Sequence, residues 1–310
     1  MNIVFMGTPE FSVPILEALI KQYEVTLVVT QPDKIVGRKK TLTHSPIKKV
    51  ALEHNIEVFQ PKSIKKDYER VLEVNPDLII TAAYGQIIPE VLLNAPKLKA
   101  INVHASLLPK YRGGAPIQRA IMNHESSTGV TIMYMSKAMD AGDIIAQESL
   151  SIKPKETGES LFNKLSILGR DLLMKTLPSI INQTNQRFKQ DPSLVSYAPI
   201  IKPSEEWLDF RLDANDLEAK VRAFYKEPNT YTTLDGLKLK VIKAESLKEN
   251  LSDEAGVITK IDKQGIKIQC GNGTLVVTYL QLESKKAMTS IDFMNGLGRN
   301  MLKVGKKLGC

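Results

Sequence analysis

Over the first two thirds of the chain, short continuous apolar runs alternate with apolar positions repeating at helical intervals. Residues 2–6 are apolar and end in Gly7, Thr8 and Pro9. Phe11, Ile15, Leu16, Leu19 and Ile20 then recur with the period of a helix. Residues 25–30 are continuous and rich in β-branched side chains, as a strand covered on both faces requires. Ser45 and Pro46 read as the N-cap and first-turn proline of a helix reaching His54. Further strands are predicted over 56–59, 77–83, 100–104, 128–135 and 144–149, with a short helix over 117–123. Thr157 caps a long helix with Leu161, Leu165, Leu168 and Leu172 on one face.

This alternation predicts an α/β domain: a Rossmann-like, mostly parallel sheet with helices on both faces. Ligands of such sheets bind beyond the carboxyl ends of the strands. At residues 189–206 the pattern breaks into Asp191-Pro192, Pro199 and Pro203, which reads as a linker. Beyond it, a helix over 213–224 precedes alternating runs at 237–244, 256–261, 265–270 and 274–282, separated by turns such as Gly271-Asn272-Gly273. Short strands plus one helix predict a smaller C-terminal β-barrel of OB-like type. The expected division is a catalytic domain over 1–188, a linker over 189–206 and a second domain over 207–310.

Composition narrows the function classes. With 43% hydrophobic and 25% charged residues, the 310-residue chain has the balance of a folded protein and can build sizeable cores. No apolar run approaches the ~20 residues that span a bilayer. The first segment carries Glu10 and Glu17 and lacks a basic leader, so it reads as strand, turn and helix; a soluble, cytoplasmic protein is expected. Two cysteines, Cys270 and Cys310, can form neither a metal knuckle nor a disulfide framework, and no metal is expected. A net charge of +8 favours an anionic partner, with nucleic acid first among them.

The densest chemistry lies at 102–109. Asn102 and His104, two apart at the end of a predicted strand, project to the same side. One is an amide donor, the other an imidazole that donates or takes a proton near neutral pH. Tyr111-Arg112-Gly113-Gly114 follows, its glycines allowing close backbone approach or positive φ. Met139-Asp140-Ala141-Gly142-Asp143 places a carboxylate in a turn between two strands, where it can orient an imidazole. An amide and an imidazolium can stabilise an oxyanion, and an aspartate can help take the proton of an attacking amine. No activated serine or cysteine stands beside them, which favours direct transfer to an amine. Between 31 and 49, Lys34, Arg38, Lys39, Lys40, Lys48 and Lys49 face only Asp33 in the opposite sign, as an arm for a polyanion would.

His104-Ala105-Ser106-Leu107-Leu108-Pro109, Tyr111 to Gln118 and Met139 to Asp143 resemble the methionyl-tRNA formyltransferase family. Phe5 to Phe11, Gln31-Pro32-Asp33, Gly37-Arg38, Ser45-Pro46 and Lys285 to Met288 are similar too. The Asn-His-Asp set and Ser-Leu-Leu-Pro are shared across the wider 10-formyltetrahydrofolate transferase superfamily. The resemblance implies a folate-binding N-terminal domain in which Asn102, His104 and Asp140 are catalytic. It places Ser106, Leu107, Leu108 and Pro109 against the folate and Tyr84, Gly85 and Ile87 at the pterin pocket. It assigns Arg38, with Lys34, Lys39 and Lys40, to initiator methionyl-tRNA, with the C-terminal domain holding that tRNA from its other side. A monomer without a membrane partner is expected. Ser284 stands where the family often has glycine, and Tyr225-Lys226-Glu227-Pro228 where it usually has Pro-aromatic-Pro.

Four other readings remain open at this level. A formyltransferase acting on a nucleotide-sugar amine or on glycinamide ribonucleotide would use the same three residues, as would a hydrolase passing formyl to water. An NAD(P)-dependent oxidoreductase fits the α/β pattern, but the segment after Gly7 lacks G-x-G-x-x-G. A non-enzymatic RNA-binding protein fits the barrel and the charge but leaves the Asn-His-Asp set without a role.

Overall fold

The computed structural model describes residues 1–36, 41–252 and 254–309. Arg38, Lys39, Lys40 and Cys310 lie outside the described residues. Two compact units emerge, one of Met1–Pro116, Ser127–Ser151 and Phe162–Pro199, the other of Ile117–Ser126, Ile152–Leu161 and Ile200–Cys310. The units interleave in sequence, so no single cut divides them.

In the first unit the strands are β1 (Ile3–Gly7), β2 (Val25–Val29), β3 (Lys34–Val36), β4 (Thr41–Thr43), β5 (Glu57–Phe59), β6 (Leu78–Ala82), β7 (Ala100–His104), β8 (Ser127–Tyr134) and β9 (Ile144–Ser151). Helices α1 (Val13–Gln22), α2 (Pro46–Glu53), α3 (Glu69–Glu73) and α4 (Glu90–Asn94) connect the early strands. Among the described residues, seven strands form one sheet in the order β5-β2-β1-β6-β7-β8-β9. Pairing is parallel from β5 to β7. β7 with β8 and β8 with β9 are antiparallel. The last pair has a simple cause: only residues 135–143 separate β8 from β9, too few for a crossover.

Every residue of β1 and β6 is buried, as a sheet covered on both faces requires. Strand order reverses between β1 and β6, so the crevice beyond their carboxyl ends is the switch point of the fold. The predicted cap of α2 is present: Ser45 Oγ accepts from the Lys48 N–H at 3.1 Å.

Within the basic stretch expected as a loop, residues 34–36 and 41–43 form a short antiparallel ladder, β3 against β4, with Ile35 opposite Leu42. Both of those side chains are exposed, at 67% and 60%. Its root is held by Asp33, which accepts from Lys48 Nζ at 2.6 Å and Gln60 Nε2 at 2.8 Å, with His44 Nδ1 at 2.9 Å. The Lys48 hydrogen bond, followed by that of Gln60, lowers the Asp33 carboxyl to about 2. Lys48 is thus paired with Asp33. Lys34, in β3, is exposed.

Helices α5 (Pro116–Met122) and α6 (Gly158–Ile181) each contain residues assigned to both units. Thr157 does cap α6, accepting from the Ser160 N–H at 3.2 Å. The second unit contains α7 (Ala214–Ala223), β10 (Thr230–Leu234), β11 (Leu237–Leu247), β12 (Ile258–Asp262), β13 (Gly265–Gln269), β14 (Thr274–Leu282), β15 (Met288–Thr289) and α8 (Ser290–Asn295). Its sheet is antiparallel, ordered β10-β11-β14-β13-β12, with β15 on β14. Leu217 and Val221 of α7 share its core with Val241, Leu275 and Phe293. Cys270 is buried in the same core, and burial pushes its thiol up to about 12, so it acts there as a small hydrophobe. No described helix is long and apolar enough to cross a membrane.

Candidate active site

Asn102 and His104 stand at the carboxyl end of β7, and their two-residue spacing turns both toward one carboxylate, that of Asp140 in the β8–β9 turn. Asn102 Nδ2 lies 3.5 Å from Asp140 Oδ1, and His104 Nδ1 lies 3.7 Å from Asp140 Oδ2. The three expected groups converge. His104 is 6% exposed, so its ring works largely out of bulk water.

Each group is held by a partner that leaves one functional end open. Thr81 Oγ1, on the neighbouring strand β6, donates to Asn102 Oδ1 at 2.7 Å. That contact fixes the amide so that its N–H₂ end faces Asp140. His104 Nε2 lies 3.0 Å from the Tyr111 carbonyl. A carbonyl only accepts, so Nε2 carries a proton and Nδ1 is the nitrogen turned toward Asp140. Asp140 Oδ2 accepts from the Gly113 N–H at 2.9 Å. Gly113 adopts φ +122°, and a Cβ there would meet the Ala198 carbonyl oxygen at 2.6 Å, which is why the chain has glycine at this point.

The turn carrying Asp140 is tight. Asp140 itself sits at φ +50°. A Cβ on Gly142 would lie 1.8 Å from the Tyr134 carbonyl oxygen. Gln190 Nε2 donates to the Asp140 and Gly142 carbonyls, each at 2.8 Å. Gln190 Oε1 in turn accepts from Arg112 Nε and Nη2 at 3.0 and 2.7 Å. Gln190 falls in the stretch expected to be a linker. Residues up to Pro199 group with the first compact unit. Arg112 N–H donates to the Ser196 carbonyl at 2.9 Å, and the Ala198 N–H donates to the Arg112 carbonyl at 2.7 Å.

The residues expected against the folate differ in exposure. Ser106 is fully buried and its hydroxyl donates to the Lys110 carbonyl at 2.7 Å. Leu108 is buried, with its N–H on Thr131 Oγ1 at 3.1 Å. Leu107 lies so close to β8 that a Cβ on Gly129 would come within 2.6 Å of Leu107 Cδ2. These three side chains build the turn after β7, while Pro109 is half-buried. Tyr84, Gly85 and Ile87 follow β6 at the switch point. The Tyr84 carbonyl accepts from Thr8 Oγ1 at 2.9 Å and Gln31 Nε2 at 3.2 Å, tying together the loops after β1, β2 and β6. Gly85 has φ +88°. Tyr84 is 3% exposed and its hydroxyl has no hydrogen-bond partner among the described residues, whereas Ile87 is 80% exposed.

Sequence reasoning missed Thr81, the Tyr111 carbonyl and Gln190. Thr81 alone left a signal, as the polar residue in the otherwise apolar run of β6.

A formyl transferase family model matches residues 1–177, and a model for the formyl transferase C-terminal domain matches 200–298. The chain is 45% identical over 312 residues to the methionyl-tRNA formyltransferase of Ligilactobacillus salivarius, covering 99% of this chain and 98% of that protein. It is 46% identical over 310 residues to the one from Staphylococcus epidermidis, covering 99% of both.

The chain belongs to the methionyl-tRNA formyltransferase family.

An N-formyltransferase from Helicobacter canadensis, solved with folinic acid and dTDP-3-aminofucose, has the same fold at a TM-score of 0.67 and 22% identity, covering 89% of this chain and 98% of that one. The formyl transferase match over residues 1–177 contains Asn102, His104 and Asp140 but stops before Gln190.

Proposed function

We propose that the protein transfers the formyl group of 10-formyltetrahydrofolate to the α-amino group of methionine on initiator tRNA. The observation that carries this reading is the Asp140 carboxylate reaching both Asn102 and His104 at the rim of the sheet. The folate supplies a formyl carbon bonded to nitrogen, open to attack by a neutral amine. Asn102 Nδ2 donates to the formyl oxygen as negative charge develops there, and His104, when protonated at Nδ1, adds a second donor. Asp140 supports the imidazolium and accepts the proton that the amine loses as its nitrogen bonds to carbon. The same proton is then available to the departing folate nitrogen, so the exchange balances without a covalent enzyme intermediate.

The residues near the switch point suit a flat heterocycle. Ile87 offers an uncovered apolar side chain, and Tyr84 holds an unspent hydroxyl beside a glycine in positive φ. In the second unit, Lys238 sits 3.8 Å from the Tyr231 ring centroid, and Lys243 lies 5.6 and 5.9 Å from those of Tyr225 and Tyr279. Such a mix of cations and aromatic faces suits single-stranded RNA. The protein acts as a cytoplasmic monomer in this reading.

A labelled-formyl assay tests it. Transfer to charged initiator tRNA should exceed transfer to a nucleotide-sugar amine or to glycinamide ribonucleotide; the reverse order would reassign the acceptor. Arg38, which lies outside the described residues, is assigned to the tRNA together with Lys34, Lys39 and Lys40. Arg38→Ala should raise the KM for tRNA, leave folate affinity unchanged and lower the slope of log affinity against log salt by roughly one. Equal loss toward both substrates would remove Arg38 from tRNA binding.

A further inference from the structure

Gln190 spends its whole side-chain amide on the turn that bears Asp140. Its two N–H groups go to the carbonyls on either side of Ala141, and its oxygen takes two N–H groups from Arg112. The orientation of this amide is fixed by chemistry, because a guanidinium only donates and the two main-chain oxygens only accept. The grip comes from far along the chain: Gln190 is 50 residues from Asp140 and 78 from Arg112.

The turn's other ties are the Gly113 N–H on the Asp140 carboxylate at 2.9 Å, the Ser136 hydroxyl on the Ala138 carbonyl at 3.0 Å and the Tyr134 N–H on the Asp143 carbonyl at 2.9 Å. Residues 136–139 are exposed. Inside it, the Ala141 N–H reaches the Ala138 carbonyl at only 3.3 Å. Asp140 holds a left-handed backbone conformation that L residues enter at a cost. Arg112 is itself pinned, since its N–H and C=O both pair with the 196–198 segment. A bracket built on Arg112 therefore ends, through one amide, on the backbone of Asp140.

We propose that Gln190, seated on Arg112, is a positioning residue that holds the Asp140 carboxylate at its working distance from Asn102 and His104. This rests on the reading of Asp140 as part of the reaction. Gln190 touches none of the reacting groups itself; it fixes the backbone from which the carboxylate projects. A misplacement of about 1 Å at such a site costs on the order of a hundredfold in rate.

The test uses Gln190→Glu and Gln190→Met in the full chain. Glu keeps the acceptor for Arg112 but lacks the N–H donors; Met fills the space without either. Formyl transfer to charged initiator tRNA should show kcat lowered roughly 10–100-fold, with KM for both substrates and the melting temperature near wild type. Added to Asp140→Asn, Gln190→Glu should change kcat by no more than about twofold, because the group it positions is already lost. Wild-type kcat in a folded Gln190→Glu protein, while Asp140→Asn is impaired, would overturn the proposal alone. So would a Gln190→Glu loss that multiplies in full on Asp140→Asn, or failure of both Gln190 variants to fold, which would make the residue purely structural. Wild-type kcat in Asp140→Asn would overturn the reading beneath it.

Discussion

Replacing His104 or Asn102 by alanine is expected to lower turnover about a hundredfold or more, corresponding to roughly 3 kcal/mol of lost transition-state stabilisation for one oxyanion donor. The effect should fall on kcat and not on folate affinity, because neither side chain lies in the loops tied to Tyr84 and Gln31. The two substitutions differ in what they leave behind. Asn102→Ala removes the partner of Thr81 Oγ1, which still has the Ile101 carbonyl at 3.2 Å, so the strand pair should stay intact. His104→Ala removes both the Nε2 anchor on Tyr111 and the Nδ1 that faces Asp140. Single-turnover rates with saturating charged tRNA, together with folate binding at equilibrium, separate the two quantities. A folded variant with a near-wild-type single-turnover rate would remove that residue from the chemistry.

Gly142→Ala is expected to damage both rate and stability. The new methyl would have to occupy a point 1.8 Å from the Tyr134 carbonyl oxygen and 2.9 Å from its carbon. The obstacle is backbone, so no rotamer change relieves it. Tyr134 also receives its ladder bond from the far side of this turn, its N–H donating to the Asp143 carbonyl at 2.9 Å. The turn must therefore open, and Asp140, two residues away, moves with it. We expect a loss of about 1–3 kcal/mol in stability, as overpacking typically costs. Turnover should fall about a hundredfold from the displaced carboxylate. Thermal melts and steady-state kinetics on one preparation measure both. An alanine protein with unchanged melting temperature and kcat would mean that the turn re-forms without cost.

The fold was legible where a local rule acts on a continuous stretch. Strand β7 was bounded to the residue, and the start of α2 by its serine cap and first-turn proline, although α2 ends at Glu53, one residue short of the expected His54. The period of two that placed Asn102 and His104 on one side follows from strand geometry alone. Asp140 was harder, because an aspartate beside a glycine is also what an ordinary turn contains. The short ladder of β3 and β4 escaped notice because three-residue strands of mixed polarity carry no period. The antiparallel pairing of β8 and β9 follows from their short connection and is consistent with a sheet expected to be mostly parallel.

What stayed hidden shares one cause. Tyr111 acts through a carbonyl, which its residue type does not advertise. Gln190 acts through contacts with residues 50 and 78 positions away, amid prolines that suggested a tether. Hydrogen bonds between distant main chain and side chain leave no periodic trace in a single sequence.

The seam between residues 190 and 199 bears on how the protein can be taken apart. A fragment ended at residue 177, where the first family match stops, would lack the strap that braces the β8–β9 turn. It would also lack the backbone that lies alongside Arg112. A fragment meant to keep Asn102, His104 and Asp140 in register therefore has to reach Pro199, and it would still carry residues 117–126 and 152–161, which group with the second unit.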